Sequence, residues 1–359
     1  MQKLNLMCPM GLTGYGVTSY NIYKELRKLV DITLFPIRGV TVDTQEDQIN
    51  CMADIEKQQQ YDPNNHFLKI WHQFDLATRI GKGKYGVLTF FEVDKLKPIE
   101  IHMSNMTDLM FVASKWGKQI LIDNGVTTNI EVAPLGVDLS LFNPESPLVK
   151  DIKKPTDNYV FINIGKWEIR KGHDFLIEAF NNAFTPEDKV ELWMLNHNPF
   201  LSNDQNLAWV NLYKNSPLKD KIIILDRLPK HQDVARLIAM SDCGVFPARA
   251  EGWNNEIPEV MAMNKPVIAT NYSAHTEYLD KNNAYLIDID NLTEASDDKF
   301  FDGYGKWAEL GDSQMEQLVE HMRFVYTNNI TTNKTGLQKA QELTWSNTAN
   351  IIYKSLFEV

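Results

Sequence analysis

The chain is poor in cysteine, in positive charge and in long apolar runs, and each shortage removes a class of protein. Cys8, Cys51 and Cys243 stand far apart and form no C-x-x-C pair. A disulfide framework is therefore not expected, and a reducing, cytoplasmic setting is. No apolar stretch in the 359 residues approaches the roughly 18 that a membrane-spanning helix needs, and the first residues break off before a signal-peptide core forms. The sequence thus predicts no transmembrane segment, and any membrane contact would be peripheral. With 36 Lys and Arg against 47 Asp and Glu, the net charge is −11, so the average surface repels a phosphate backbone and nucleic acid is not an expected partner. A nucleotide held inside one crevice by a few cations and backbone N–H groups is untouched by that argument.

What the sequence does contain is an alternation of short Val/Ile/Leu/Phe runs with longer amphipathic stretches. That pattern predicts parallel sheets with crossover helices. Expected strands are Lys3–Cys8, Ile32–Phe35, Phe67–Trp71, Val87–Phe91, Leu109–Val112 and Ile130–Ala133, with helices near Val17–Lys28 and Lys115–Asp123. A second set is Tyr159–Ile164, Val190–Leu195, Ile222–Leu225, Cys243–Phe246 and Val267–Thr270. The reading is α/β, with two doubly wound, Rossmann-like domains at 1–150 and 151–335. The tail, 336–359, carries a helical apolar pattern. The polar stretch Glu145 to Asn158, with Pro147 and Pro155, reads as the linker. Residues 1–150 carry 15 Lys and Arg against 17 Asp and Glu, and residues 151–359 carry 21 against 30. The near-neutral first half is the better candidate for a charged acceptor or a membrane surface. Asp288 to Asp302 reads as an exposed loop, and no metal is assigned to its Asp288-Ile289-Asp290.

Three clusters could carry chemistry. Gly11-Leu12-Thr13-Gly14-Tyr15-Gly16 follows the first strand, where an open α/β sheet leaves a crevice and glycine lets backbone approach a ligand. Its alternative is a tight strand-to-helix turn with no ligand. Gly165-Lys166-Trp167-Glu168-Ile169-Arg170-Lys171-Gly172 ends the first strand of the second half and opens a helix at about His173. Three cations beside a helix start suit a pyrophosphate, although a solvated turn pairing with Glu168 and Asp174 would look the same. The third runs from Pro247 to Thr270 and reads as strand end, polar turn, short helix and next strand. Glu251 in its turn and Glu259 on its helix lie eight apart, placed to accept hydrogen bonds from sugar hydroxyls.

These motifs, in this order, resemble the retaining nucleotide-sugar glycosyltransferases of family 4, which have the GT-B fold of two facing Rossmann-like domains with a cleft between them. The resemblance is strongest over Gly165–Gly172, Asp242–Phe246 and Glu251–Thr270. It is weaker over the glycine loop, Phe111–Ser114, Pro134–Asp138 and Tyr272–Leu279. It implies that Glu251 contacts the donor sugar, that Glu259 contacts the ribose, and that Gly252, Trp253, Asn254 and Asn255 line the sugar and phosphate site. Gly14 and Gly16 would also face the donor, and Lys166 and Lys171 would neutralise the pyrophosphate. Lys166 stands where Arg is usual, and Asn254 and Ala274 stand where Gly is common, which implies a narrower pocket. Glu92 stands near the place of a His that many members direct at the donor sugar. His72, ending another first-half strand, is a candidate on the acceptor side. The resemblance also implies that the helical tail, 336–359, crosses back to the first domain. Arg79, Lys82 and Lys84 read as a solvated loop outside the site.

The resemblance further implies transfer with retention by same-face attack, the departing phosphate taking the acceptor proton. No metal and no cofactor beyond the nucleotide-diphosphate sugar are implied. The acceptor, whether glycan, lipid or small molecule, is not legible. Two readings from other classes stand beside this one. The altered Gly and Arg positions suit a catalytically inactive sugar-nucleotide-binding regulatory protein. An NAD(P)-dependent dehydrogenase would use Gly11–Gly16, against the G-x-x-G-x-G spacing and without an acid closing the second strand.

Overall fold

Hydrophobic alternation becomes two wound sheets in the computed structural model, which describes residues 1–228, 230–297 and 299–358. The chain divides into two compact units, Met1–Gly136 with Leu343–Val359, and Val137–Glu342. In the first unit the order along the chain is β1 (Lys3–Met10), α1 (Gly14–Leu26), β2 (Asp31–Val40), α2 (Gln45–Glu56), β3 (His66–Ile70) and β4 (Tyr85–Leu88). It continues with α3 (Pro98–Asn105), β5 (Leu109–Val112), α4 (Lys115–Asp123) and β6 (Asn129–Val132). The strands pair in parallel in the order β2-β1-β3-β4-β5-β6. β4 and β5 are buried along their whole length, as expected of strands covered on both faces by helices. Ser114, at the end of the Phe111–Ser114 segment, caps α4: its Oγ accepts the Gly117 N–H at 3.1 Å. Winding proceeds from β1 outward to β2 and then reverses to β3, so β1 and β3 flank a switch point.

The second unit repeats the plan. Its elements are β7 (Tyr159–Gly165), α5 (His173–Ala183), β8 (Val190–Asn196), α6 (Asn203–Lys214), β9 (Ile222–Ile224), α7 (His231–Met240) and β10 (Cys243–Phe246). They continue with α8 (Glu256–Ala262), β11 (Val267–Thr270), β12 (Tyr285–Ile287), β13 (Leu292–Ser296), β14 (Asp302–Ala308), α9 (Asp312–Thr327) and α10 (Lys334–Glu342). The parallel order is β12-β11-β10-β7-β8-β9, which puts the switch point between β7 and β10. Its core is apolar, with Phe161, Leu176, Phe180, Leu192, Met194 and Val245 fully enclosed. The last helix, α11 (Trp345–Phe357), belongs to the first unit and packs on α1.

Several expectations need correction. The polar stretch 145–158 lies inside the second unit, because its side chains close strand ends. Lys154 Nζ is 2.6 Å from Asp242 Oδ2, and Thr156 Oγ1 and Asn158 Nδ2 each donate to Glu191 Oε1 at 2.9 Å. The division therefore falls at Gly136 and Glu342 rather than at 150 and 335. Asp288 to Asp302 is no simple loop: β13 and β14 form an antiparallel hairpin within and beyond it, Thr293 opposite Trp307; Asp298 lies outside the described residues. The three-residue strand β12 gives the second sheet a sixth member that its brief apolar run did not announce. The helical tail is two helices, broken at Leu343-Thr344, where the chain passes from one unit to the other.

Candidate functional site

In the second unit the strand ends at the switch point bring together loops about 80 residues apart in sequence. Gly172 has φ +73°, and a Cβ there would stand 2.0 Å from the Pro247 carbonyl oxygen, so only glycine lets the loop after β7 lie against the loop after β10. The Arg249 N–H donates to the Arg170 carbonyl at 2.6 Å across the same junction. This contact delivers Lys171 to Glu251, Nζ to Oε1, at 2.8 Å. Arg170 holds the other carboxylate oxygen, NH1 to Oε2 at 2.7 Å, and also donates to the Ala250 carbonyl. Its remaining nitrogens, Nε and NH2, reach Glu168 Oε2 at 3.1 and 2.7 Å, and Lys166 Nζ meets Glu168 Oε1 at 2.8 Å. Glu256, opening α8, stands 3.7 Å from Lys171.

The electrostatics separate the two glutamates singled out in the sequence. Burial pushes the Glu251 carboxyl upward, but Arg170 and Lys171 together hold it well below the usual carboxylate range. Glu251 is therefore ionised and acceptor-only. Glu259, on α8, is buried without such a cation; desolvation, aided by the charges of Glu256 and Asp138, pushes it well above the usual range. His231 Nε2 lies 3.9 Å from its Oε1. Lys171 is itself held protonated: burial works against its charge, and Glu251 and Glu256 outweigh burial.

Behind Glu251, the loop after β11 fixes the turn. Ser273, at φ +55°, accepts the Glu251 N–H on its Oγ at 2.9 Å, and the Ala274 N–H donates to the Glu251 carbonyl at 3.2 Å. His275 is fully enclosed, and burial pushes its imidazole down to about 4, so it is neutral. Its Nδ1 is 3.0 Å from the Thr270 carbonyl, which can only accept, so Nδ1 carries the proton. Nε2 is then an acceptor for Asn254 Nδ2 at 3.3 Å. Asn254, at φ +77°, keeps the left-handed backbone that glycine would adopt more easily. Three polar atoms in this turn are buried without a partner: Trp253 Nε1, Asn254 Oδ1 and Asn255 Oδ1. Trp253 packs its ring 4.7 Å from that of Tyr278, whose hydroxyl donates to the Trp253 carbonyl at 2.7 Å. Orphaned buried groups of this kind cost about 1–3 kcal/mol each unless a ligand or water completes them.

The other candidates lie in the first unit. Gly16 sits in α1 where a Cβ would be 2.5 Å from the Gly11 carbonyl oxygen, so it serves the turn itself; a Cβ on Gly14 would meet open space. His72 lies against Tyr15 at 4.5 Å between ring centroids. Glu92 is near enough for its charge to act on the Tyr15 phenol. The structure thus gathers Gly14, Gly16, His72 and Glu92 around Tyr15, and Lys166, Lys171, Glu251, Gly252, Trp253, Asn254, Asn255 and Glu259 around the β7/β10 switch point. Arg79 donates to the carbonyls of Lys82 and Gly83 and belongs to the loop entering β4. Sequence reasoning counted Arg170 only among the three cations of its loop and gave Ser273, His275 and Tyr15 no role of their own. The structure engages Arg170 with Glu168, Glu251 and the Ala250 carbonyl. The partners of Ser273 and His275 are set by the approach of β11 to β10 and leave no local trace.

Comparison with known proteins bears on the family and on the fold. Residues 158–299 match the family model described as glycosyl transferases group 1. An uncharacterized glycosyltransferase of Methanocaldococcus jannaschii is 30% identical over 115 residues, which is 32% of this chain and 26% of that protein. Another, from Haemophilus influenzae, is 25% identical over 158 residues, 44% of this chain and 42% of that protein. The chain therefore matches well under half the length of these curated relatives. Among solved structures, a sucrose-phosphate synthase of Thermosynechococcus elongatus superimposes with a TM-score of 0.73 at 14% identity, covering 100% of both chains. The Anabaena protein HepE, solved with UDP-glucose, gives 0.73 at 16% identity, again with 100% of both covered. At such identities the likeness establishes the fold, which is GT-B: α/β, with two parallel six-stranded sheets.

Proposed function

We propose that the chain is a glycosyltransferase that moves a sugar from a nucleotide-diphosphate sugar to an acceptor hydroxyl in a cytoplasmic setting, with retention at the anomeric carbon and without a metal. The observation that carries this reading is the buried Lys171–Glu251 pair, 2.8 Å apart at the strand ends of the β7/β10 switch point, inside the segment that matches the glycosyl transferases group 1 model. Support for the donor class comes from HepE, which was solved with UDP-glucose.

The chemistry follows from the charges. Glu251, held ionised, accepts hydrogen bonds from sugar hydroxyls and has no proton to give a leaving group. Lys171 stands beside it, so a sugar held by Glu251 would bring its pyrophosphate oxygen to the ammonium. Lys166, pairing with Glu168 at the rim, adds a second cation. As the bond from the anomeric carbon to the pyrophosphate oxygen breaks, its electron pair goes to that oxygen, and the two lysines stabilise the charge. The acceptor hydroxyl attacks from the same face and its proton passes to the departing phosphate. No carboxylate nucleophile is required, and Glu251 and Glu259 are not the acid and base of a hydrolase. Glu259 is assigned to the ribose, and Trp253, Asn254 and Asn255 to the sugar.

The test is release of nucleoside diphosphate from a panel of UDP-, GDP- and ADP-sugars incubated with the purified chain. Turnover of one donor, unchanged by EDTA and lowered roughly hundredfold in Glu251→Gln and in Lys171→Gln, supports the reading. No release from any donor, or full activity in either folded variant, removes it. Loss of turnover with EDTA and recovery with Mg²⁺ would overturn metal independence alone.

A further inference from the structure

The loops that meet at the β7/β10 strand ends hold one more glutamate, and its carboxylate is uncommitted. Glu251 is fully engaged: Lys171 Nζ holds its Oε1 at 2.8 Å and Arg170 NH1 its Oε2 at 2.7 Å. Glu256 is not. Among the described residues its carboxylate makes no hydrogen bond, and Lys171 Nζ, 3.7 Å from Oε1, stands beyond hydrogen-bond length. Its side chain is 23% exposed, against 6% for Glu251. Its charge acts on Lys171, Glu259 and Tyr278, which sets it among the groups around the turn. The residues just before it are also short of partners. His275 Nε2 accepts from Asn254 Nδ2, which leaves Asn254 Oδ1 as the unpaired end of that amide. Asn255 Oδ1 and Trp253 Nε1 are unpaired as well, and Trp253 and Asn254 are each less than a tenth exposed. The open groups here are thus acceptors, the Glu256 carboxylate and two amide oxygens, against the single donor Trp253 Nε1.

From this excess of acceptors we infer that Glu256 selects the donor sugar: its carboxylate accepts hydrogen bonds from the hydroxyls of a neutral hexosyl group and turns away a sugar that carries a carboxylate of its own, such as a uronic acid. The inference rests on the glycosyltransferase reading and gives the donor a chemical class. A neutral hexose brings several O–H donors, which an acceptor-rich turn requires, whereas an ionised sugar carboxylate can only accept. It would also set a second negative charge beside Glu256, and like charges in a desolvated site repel strongly. Lys171 does not cancel that repulsion, because Glu251 holds it in the free chain and the pyrophosphate would claim it in the complex. An acid in the first turn of α8 also favours the helix itself. That effect is blind to which sugar a nucleotide carries.

Calorimetric titration of the full chain with UDP, GDP and ADP first finds the nucleotide that binds. The matching pair follows: UDP-glucose with UDP-glucuronic acid, GDP-mannose with GDP-mannuronic acid, or ADP-glucose with ADP-glucuronic acid. The hexose form should bind at least about tenfold more tightly than the uronic acid form. Glu256→Gln should weaken the hexose form about three- to tenfold and strengthen the uronic acid form, leaving the two within about threefold of each other. The nucleoside diphosphate alone should not bind more weakly in this variant. Glu256→Ala, which keeps a good helix former at the position, is the second variant and should close the same gap. Equal binding of the pair by the parent chain, a gap that survives in either folded variant, or a variant that weakens all three ligands alike overturns the inference. Binding of none of the three nucleotides removes the donor reading and this inference with it, whereas nucleotide binding without discrimination between the pair removes this inference alone.

Discussion

Lys171 Nζ lies 2.8 Å from Glu251 Oε1, and both side chains are buried. Their partnership is completed by Arg170, which spans Glu251 and Glu168 with one guanidinium. On the proposed reading, an incoming donor would meet a preassembled but internally neutralised site. Lys166, Arg170 and Lys171 stand against Glu168, Glu251 and Glu256. A pyrophosphate would have to compete with the glutamates for the lysines, and sugar hydroxyls would have to compete with the lysines for Glu251.

Arg170 positions both glutamates and is expected to matter for stability before it matters for turnover. Arg170→Met removes the cation shared by two buried carboxylates and leaves each with a single lysine, which should lower unfolding free energy by about 3–5 kcal/mol. Urea denaturation reads this directly. Arg170→Lys should recover only part of the loss, because an ammonium cannot hold both acids through a planar fork. An Arg170→Met variant as stable as the parent would show that the network contributes nothing.

Two buried histidines should make the fold sensitive to mild acid. Burial, with Lys171 adding to it, pushes His173 down to about 3, and burial pushes His275 down to about 4, from an ordinary value of 6.5. A base whose folded value is depressed is neutral in the native state and protonates first in the unfolded chain. Its stabilisation is therefore full above pH 6.5 and declines as pH falls toward the folded value. Each histidine should contribute a slope of about 1.4 kcal/mol per pH unit in that window. A stability profile flat from pH 6.5 to 5 would contradict this.

Nucleotide binding should itself depend on pH through Glu259. In the free chain its carboxyl is pushed up by burial and by the charges of Glu256 and Asp138. Ribose hydroxyls donating to it would favour the ionised form, so binding releases a proton and affinity falls as pH drops through the raised value. Calorimetry of UDP in two buffers of different ionisation enthalpy measures the proton released. Glu259→Gln should abolish the release and weaken binding about tenfold.

The docking of the last helix depends on one glycine. A Cβ at Gly136 would stand 2.1 Å from the Trp345 backbone nitrogen, and Thr348 Oγ1 donates to the Pro134 carbonyl at 2.5 Å beside it. Gly136→Ala should therefore loosen α11 from the first unit, costing about 1–3 kcal/mol. Hydrogen exchange of residues 345–357 should accelerate, with exchange in β7 and β8 unchanged.

The wound α/β character of both halves was legible in local sequence. Periodic burial is a local property: Leu109–Val112, Cys243–Phe246, Val267–Thr270 and the helix Lys115–Asp123 lie where their apolar runs place them. The start of α5 at His173 was legible for the same reason. Tertiary structure alone decided who pairs with whom. Lys171 and Glu251 are 80 residues apart, and no local pattern says that their loops touch; the strand order does, by placing β7 beside β10. It also decided that the polar stretch 145–158 closes the second sheet, since a Lys or Asn in sequence carries no record of its partner. The return of α11 to the first unit has the same origin. Its amphipathic face specified that something must be covered, and only the packed chain specified α1 as the surface it covers.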